Sequence, residues 1–331
     1  MPKAKLKMVL DPISTQYMKD KILVTSYTDP DLDGLSSIFA YSDFLNAKGS
    51  NAIPSVYGKP YMEAAFIVRE YGFSRPIEYH NPKEYREVVL VDASDLEGID
   101  NSIDPKKVTQ IIDHRKINDA EKFEKAKIQI ELVGAAATLV AEKFIDNKID
   151  IKEDVAPLLY GAIISNTLNF KANVTTDRDV EVASYLKEKF EFPDNFAHKM
   201  FESKSNLSGD ALIDSIDKDF AFFKGWKFDG KKVGIAQLET LEGEEKTVPI
   251  KDEINAKLQS IKGDLGLDLI GFTIVDLEAN QNIIFCPDEY SKDIFSKALG
   301  IDFEEGYAKR SGLILRKEII PKIRDVIASY D

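Results

Sequence analysis

The stretch KILVTSYTDPDLDGLSSIFAYSDFLNAKG, residues 21–49, decides the fold class of this chain. It starts with a β-branched, apolar run that stops at Asp29-Pro30, which is typical of a buried strand. Gly34 follows, and apolar residues then recur at helical spacing to the end of the stretch. The stretch therefore predicts a strand, a short loop and a helix.

The same alternation continues along the chain. Further strands are predicted in NAIPSVYG, EVVLVDAS and VTQIIDH, and further helices in YMEAAFIVREYG and GAAATLVAEKFIDN. Apolar residues at three- and four-residue spacing extend through residues 151–190, which predicts more helix. Apolar strands that alternate with helices indicate an α/β fold with a doubly wound, mainly parallel sheet that is covered on both faces.

The helical periodicity breaks at EFPDNF, residues 191–196, and new strands are predicted in KKVGIAQLE, DLIGFTIVDLE and NIIFCPD. With 331 residues, of which 44% are apolar, the chain is large enough for two hydrophobic cores. We therefore expect an N-terminal domain over residues 1–192, a linker over 193–200 and a smaller C-terminal α/β domain over 201–331.

Composition excludes several classes of protein. The single cysteine, Cys286, excludes a disulfide framework and a cysteine-based zinc cluster. A net charge of −13 disfavours long nucleic acids as ligands, because such binding depends on a surface rich in lysine and arginine. The sequence has neither an apolar run of transmembrane length nor a signal-peptide pattern at its start, so we expect a cytoplasmic protein that does not enter a membrane.

Three aspartates, Asp29, Asp31 and Asp33, crowd the loop after the first predicted strand. Their mutual repulsion is costly unless cations or hydrogen-bond donors compensate it. In an open α/β sheet, ligands bind beyond the carboxyl ends of the strands, where this loop is predicted to lie. The alternative is that the aspartates cap the following helix, as single aspartates often do.

Two more predicted strands end in acidic residues. Asp92 ends EVVLVD, and Asp113 with His114 ends VTQIID. Because these strands should deliver their ends to the same edge of the sheet, we interpret His114 as a metal ligand rather than a structural histidine. His80 and His198 lie in polar surroundings and are interpreted as surface residues. The sequence thus favours a metal site built mainly from carboxylates.

The segments YTDPDLDG, VDASD, IIDHR and AIISNTLNF, in this order and spacing, resemble the four motifs of the DHH phosphoesterase superfamily. In the second half, DKDF (217–220), KKVGIAQLE and GLILRKEIIP (312–321) are similar to the C-terminal domain of manganese-dependent family II inorganic pyrophosphatases. The resemblance covers nearly the whole chain.

This resemblance implies two metal ions, usually Mn²⁺, in an active site between the domains, with Mg²⁺ or Co²⁺ as alternatives. It implies that Asp31 binds one ion, Asp33 binds the other, Asp92 bridges them and His114 completes the second site. The same four residues would be the catalytic ones, acting with a metal-activated water.

The resemblance also implies substrate-binding residues and an assembly. Basic residues that hold phosphate fall on Lys218, Arg316 and Lys317, and the last two require a one-residue gap before Pro321 in the alignment. Relatives often form homodimers through the edge of the N-terminal sheet, so a homodimer is expected here as well.

Three positions depart from the family pattern. Tyr27 replaces a histidine of the first motif and is a poor metal ligand, because the pKa of a phenol is near 10. Asn166 replaces an aspartate, which keeps an oxygen ligand but removes a charge and shifts the preference towards Mg²⁺ or Ca²⁺. Arg115 replaces the second histidine of the DHH motif and presents a planar fork that suits phosphate.

The function predicted first is hydrolysis of a phosphoanhydride, either inorganic pyrophosphate or a short polyphosphate, by a metal-dependent phosphohydrolase. A phosphodiesterase for short oligonucleotides or dinucleotides is an alternative, although those branches carry a Gly-Gly-Gly-His element that this chain lacks. A third hypothesis is a catalytically weak sensor that binds a phosphorylated metabolite at a degenerate metal site. Tyr27 and Asn166 favour this third hypothesis.

Overall fold

The computed structural model describes residues 20–60, 62–205, 209–225 and 228–329, which pack as two compact units. The first unit contains the described residues up to Asn166 together with Thr176–Phe192. The second contains Thr167–Thr175 and the described residues from Pro193 onward.

The first unit is built on one parallel sheet. Its strands are β1 (Ile22–Thr25), β2 (Ala52–Pro54), β3 (Glu87–Val91), β4 (Val108–Asp113) and β5 (Lys127–Ile130). Its helices are α1 (Leu32–Ala47), α2 (Glu63–Glu70), α3 (Ala136–Asn147), α4 (Ala156–Asn166) and α5 (Asp177–Lys189). The strand order is β2-β1-β3-β4-β5, and every neighbouring pair is parallel.

This strand order reverses direction between β1 and β3. The chain moves outward from β1 to β2 and then returns past β1 to β3. Such a reversal leaves a crevice at the carboxyl ends of the two strands, because the connections that leave them run in opposite directions. The loops that follow β1 and β3 therefore start at the crevice where open α/β sheets bind their ligands.

Both faces of the sheet are buried. On one face, α1 packs on β1 and β3, and α3 packs on β4. The helix α1 is buried on all sides from Leu32 to Phe44, because it also contacts α3 and α4. The opposite face is covered by a cluster of loop and short 3₁₀ residues, in which Tyr85, Ile103 and Phe123 pack on the strands. The predicted α/β class with a doubly covered parallel sheet is confirmed.

The second unit contains a mixed sheet of six strands. These are β6 (Phe220–Phe223), β7 (Val233–Thr240), β8 (Leu269–Asp276), β9 (Gln281–Phe285), β10 (Phe303–Glu304) and β11 (Tyr307–Ser311). The helices are α6 (Phe196–Ser205), α7 (Asp210–Lys218), α8 (Gly243–Thr247), α9 (Lys251–Leu265), α10 (Glu289–Leu299) and α11 (Arg316–Ile327). The order is β10-β11-β9-β8-β7-β6, with β7 and β8 parallel and the other neighbours antiparallel. The expected second α/β domain is confirmed.

The expected domain limits, 1–192 and 201–331 with a linker over 193–200, stay a prediction. Part of the expected linker belongs to α6, which begins at Phe196. The segment Thr167–Thr175, expected in the first domain, packs with the second unit. Among the described residues, no helix is long and apolar enough to cross a membrane.

Candidate metal centre

The turn between β1 and α1 is fixed by Asp31, which is the N-cap of the helix. Its Oδ1 accepts hydrogen bonds from the backbone N–H groups of Asp33 at 2.9 Å and Gly34 at 3.1 Å. Position 34 needs glycine, because a Cβ there would lie 2.8 Å from Pro30 Cβ and 2.9 Å from Ser26 Oγ. The capping interpretation of the aspartate loop thus applies to Asp31, whose expected role as a metal ligand stays a prediction.

The carboxylate of Asp33 is held by the N-terminus of α3. Its Oδ1 accepts from the N–H of Ala137 at 2.7 Å, and its Oδ2 accepts from the N–H of Ala136 at 2.8 Å. The first N–H groups of a helix have no partner within the helix, and the helix dipole favours an anion there. The small residues of GAAAT, residues 134–138, let this carboxylate reach the helix end.

The ionised form of the Asp33 carboxylate is not fully compensated by positive charge nearby. Burial and the neighbouring Asp92 raise the pKa of Asp33 to about 8, although His114 and the N–H of Ala137 favour the ionised form. Asp33 is 1% exposed, so water cannot stabilise its charge. A cation beside Asp33 and Asp92 would remove this penalty.

Asp92 follows β3 in a left-handed backbone conformation with φ of 50°. Non-glycine residues pay roughly 1 kcal/mol or more for this conformation, and such residues cluster at functional sites. A backbone hydrogen bond of 2.8 Å from Asp92 N to Ile112 O keeps the strand end in register with β4. The turn directs the carboxylate of Asp92 towards the ring of His114.

His114 is oriented by its second ring nitrogen. Nδ1 lies 3.0 Å from the carbonyl oxygen of Val133, which accepts only if Nδ1 carries the proton. In the neutral ring Nε2 then holds a lone pair, and it lies 3.4 Å from Asp92 Oδ1 and 3.6 Å from Asp33 Oδ2. Asp113 fixes the backbone here, because its carboxylate accepts from the N–H of His114 at 2.7 Å and from the hydroxyl of Ser94.

Asp33, Asp92 and His114 form a buried group whose ligand atoms all lie within 4.8 Å of one another. Two carboxylate oxygens and one imidazole nitrogen converge on one point, and such donors suit divalent cations, Mn²⁺ among them. The set fits one cation. The structure thus brings together three of the four residues that the resemblance assigned outright to the metal site, to which it added Asn166 as a weak ligand and Tyr27 as a poor one.

Arg115 and Tyr27, two of the positions that depart from the family pattern, contact each other. The guanidinium carbon of Arg115 lies 5.0 Å from the centre of the Tyr27 ring, and Nη2 lies 3.5 Å from Asp92 Oδ1. The Tyr27 hydroxyl accepts a hydrogen bond of 3.0 Å from the N–H of Asp31. Burial, Asp31 and Asp92 raise the pKa of Tyr27 well above its ordinary value, so its hydroxyl stays protonated.

Asn166 ends α4 and contacts Asp33 through its amide nitrogen. Nδ2 donates to Asp33 Oδ2 at 2.6 Å, so Asn166 supports the position of that carboxylate. Its expected role as a weak oxygen ligand stays a prediction.

The basic residues expected to hold phosphate in the second unit lie on two helices. Lys218 ends α7, and Arg316 with Lys317 begins α11. Arg316 forms an ion pair of 2.7 Å with Asp219 and also donates to the carbonyl oxygen of Asp219 at 2.9 Å, so it is next to Lys218 in the fold. Substrate binding by Lys218, Arg316 and Lys317 stays a prediction.

Sequence reasoning missed Asp179, which fixes the loop that opens α3. Asp179 is fully buried and accepts from the N–H of Gly134 at 2.8 Å and from the hydroxyl of Thr138 at 2.6 Å. It also forms a capping box with Thr176 at the start of α5. The spacing of Thr176 and Asp179 is a helix-start signal that could have been found, but the partners in α3 carry no local signal.

Comparison with known proteins agrees with this layout. Residues 21–163 match the model of the DHH family N-terminal domain, and residues 198–326 match that of the DHHA2 domain. A manganese-dependent inorganic pyrophosphatase of Methanothrix thermoacetophila is 26% identical over 310 residues, which are 92% of this chain and 98% of the relative. A protein of Clostridium acetobutylicum, named as a probable manganese-dependent inorganic pyrophosphatase, is 26% identical over 94% of this chain and 99% of its own length.

A solved structure is also similar over most of the chain. It is that of a Methanococcus jannaschii protein proposed to be a family II inorganic pyrophosphatase, with a TM-score of 0.80, 28% sequence identity, and coverage of 93% of this chain and 99% of that one. The two domain matches and this similarity of fold agree with each other. The chain carries a DHH family N-terminal domain followed by a DHHA2 domain, and it resembles the manganese-dependent family II inorganic pyrophosphatases.

Proposed function

We propose that this protein is a cytoplasmic hydrolase of inorganic pyrophosphate or short polyphosphate that depends on Mn²⁺, with Mg²⁺ or Co²⁺ as alternatives. The observation that carries the proposal is the buried group of Asp33, Asp92 and His114, whose ligand atoms lie within 4.8 Å of one another. The names of the related proteins support the substrate and the metal.

The residues around this group already hold its ligands in place. Asp33 is fixed by Ala136, Ala137 and Asn166, and His114 is fixed by Val133. Such outer contacts orient metal ligands and keep the imidazole in the correct tautomer. When bound, the cation supplies Lewis acidity and activates water for attack on phosphorus.

The protein's own charges would handle the substrate. Arg115 presents a guanidinium that stays protonated at all working pH values and can donate two parallel hydrogen bonds to a phosphate. We assign Lys218, Arg316 and Lys317 the role of neutralising the negative charge that collects on the leaving phosphate. Arg316 is already anchored to Asp219, so its assignment is the one that substitution should test first.

The experiment is phosphate release by the purified protein. Pyrophosphate, tripolyphosphate, a nucleoside triphosphate and a dinucleotide would each be supplied with Mn²⁺, Mg²⁺ or Co²⁺, and with a chelator in parallel. We expect chelator-sensitive release from pyrophosphate. Hydrolysis of the dinucleotide alone, detected by chromatography as mononucleotide products because a phosphodiesterase releases no free phosphate, would replace the proposal by a phosphodiesterase.

A sensor that binds a phosphorylated metabolite is the second candidate. The observation in its favour is that Tyr27 and Asn166 make protein contacts, to the N–H of Asp31 and to Asp33 Oδ2, where the family pattern has metal ligands. A sensor should bind pyrophosphate in calorimetry with Mn²⁺ present and release no phosphate over the same period. Turnover in the assay above would exclude this candidate.

A further inference from the structure

The family pattern implies two metal ions. The ligands of the ion outside the buried group would be Asp31, Asp92 and the residue at position 27, and this ion is called the second ion below. The contacts of these three residues decide whether this chain can hold two ions or one.

Asp31 and Tyr27 are occupied with each other and with α1. Asp31 Oδ1 accepts from two N–H groups of the first helical turn, and its own N–H donates to the Tyr27 hydroxyl at 3.0 Å. A phenol oxygen that already accepts a hydrogen bond from the backbone is a poor ligand for a divalent cation. Tyr27 thus fits the ion badly, whereas Asp31 uses only Oδ1 to cap the helix and, as a carboxylate, has a second oxygen that can bind a cation.

A positive charge is present there already. Arg115 Nη2 lies 3.5 Å from Asp92 Oδ1, and the same oxygen lies 3.4 Å from His114 Nε2. Asp92 Oδ1 therefore lies close both to His114 of the buried group and to the guanidinium of Arg115. The Tyr27 ring supports that guanidinium at 5.0 Å, in the geometry of a cation–π contact.

We propose that the guanidinium of Arg115 takes the place of the second ion, so that this chain has a centre with one divalent cation in which Asp92 bridges the cation and an arginine. The proposal rests on the proposed function, because it concerns the same centre. This proposal gives one reason for the departures from the family pattern at Tyr27 and Arg115. Histidine at position 27 would be a metal ligand, whereas the ring of Tyr27 packs against the guanidinium of Arg115.

Repulsion from the arginine supports a single cation. Arg115 carries a positive charge that it cannot lose, and its Nη2 lies 3.5 Å from Asp92 Oδ1. A second divalent ion beside Asp92 would face that guanidinium at close range in a buried site, where repulsion is weakly screened. The arginine therefore excludes the ion as well as replacing it.

The test is the number of Mn²⁺ ions bound by the full-length protein. Isothermal calorimetry with Mn²⁺ alone should give one tight equivalent per chain, and electron paramagnetic resonance should show an isolated ion. In the double variant Tyr27→His/Arg115→His, a second equivalent and the spectrum of a magnetically coupled pair should appear. Neither single substitution should create the second site, because each leaves one obstacle in place.

A matched control is available in the same unit. Arg69 is exposed and lies over the Phe66 ring at 5.8 Å, so it is also an arginine stacked on an aromatic ring. Arg69→His should leave the count at one. Circular dichroism and thermal unfolding would establish that each variant is folded before its ions are counted.

Two equivalents with a coupled spectrum in the unmodified protein would overturn the inference and leave the proposed function standing. A folded double variant that still binds one ion would also overturn it, since the guanidinium and the phenol would then not be what excludes the second. No Mn²⁺ binding at all would overturn the proposed function, and the inference with it.

Discussion

At the scale of single residues, Asp92 has the most demanding position in the candidate centre. It combines a left-handed backbone, almost complete burial and a carboxylate oxygen near both His114 and Arg115. Asparagine tolerates the left-handed region better than most residues and has the same shape as aspartate. Substitution by asparagine therefore removes the charge and keeps the turn.

We predict that Asp92→Asn lowers kcat for pyrophosphate by at least about 100-fold, since changes to outer contacts of metal ligands already cost about 10- to 100-fold. Calorimetry should show the loss of tight Mn²⁺ binding, and thermal unfolding should show a folded protein. Asp104→Ala is the control, because Asp104 caps a short turn of the same unit and should leave activity unchanged. Full activity of Asp92→Asn would refute a catalytic centre at this position.

The raised pKa of Asp33 predicts how metal-free stability depends on pH. The folded carboxyl has a pKa of about 8 and the unfolded one about 4, so the folded state binds more protons between these values. Its contribution to the free energy of unfolding is therefore present below about pH 4 and is lost as the pH rises towards 8. Mn²⁺ favours the ionised carboxylate and should reverse this loss.

We therefore predict that the increase in Tm caused by Mn²⁺ grows from about pH 5.5 to about pH 8.5. Differential scanning calorimetry with Mn²⁺ or with chelator measures it. Asp92→Asn, which should not bind the ion tightly, provides the baseline at each pH. An increase in Tm that is constant over this range would contradict the link between Asp33 and the metal.

At the scale of elements, the N-terminus of α3 is the part that positions Asp33. Its two N–H groups hold that carboxylate, and Asp179 holds the loop before it through Gly134 and Thr138. Asp179 makes no contact with the ligand atoms themselves in the described hydrogen bonds, so it acts as a positioning residue.

We predict that Asp179→Ala lowers the free energy of unfolding by about 3 kcal/mol, because it leaves several buried donors without an acceptor. It should also weaken Mn²⁺ binding by about 10-fold or more, through the displaced α3 terminus. Asp288→Ala is the control, because it removes an N-cap of α10 in the second unit and should destabilise without changing Mn²⁺ affinity. Unchanged Mn²⁺ affinity in a folded Asp179→Ala protein would show that the loop does not position Asp33.

Local periodicity was enough to predict the long elements of the first unit. It failed for β5, where the four residues KIQI are partly exposed at the sheet edge and carry too short a pattern to separate from a loop. In the second unit it found β7, β8 and β9, which are strongly apolar and largely buried. It missed the short strands β6, β10 and β11, which have four, two and five residues.

The sequence could predict those residues of the candidate centre that lie near the ends of predicted strands. Asp92 and His114 directly follow β3 and β4, Asp33 lies in the first turn of the helix after β1, and parallel strands deliver their ends to one edge. The contact of Asp33 with Ala136 joins residues 103 positions apart, and the stacking of Arg115 on Tyr27 is also a tertiary contact. Such contacts depend on how α3 and the loops pack in three dimensions. The periodicity of apolar residues in the sequence does not predict this packing.

At the scale of the whole molecule, the surface of one chain indicates where the expected homodimer would form. The edges of the first sheet are β2 and β5, and an edge strand offers a row of backbone groups to another chain. On the β5 side, Ile128 is 45% exposed and Leu132 is 65% exposed. Exposed apolar residues beside an open strand edge are a feature of interfaces.

We predict a particle of twice the 37.2 kDa of one chain in light scattering after size exclusion, and a particle of single mass for Ile128→Glu/Leu132→Glu. The charges should separate the chains, because carboxylates brought together across a two-fold interface repel and lose their hydration. Leu265→Glu is the matched control, since Leu265 is 49% exposed at the end of α9 in the second unit, and this variant should stay dimeric. If the double variant remains dimeric, the interface does not include β5. If the unmodified protein has the mass of one chain, the expected homodimer is wrong.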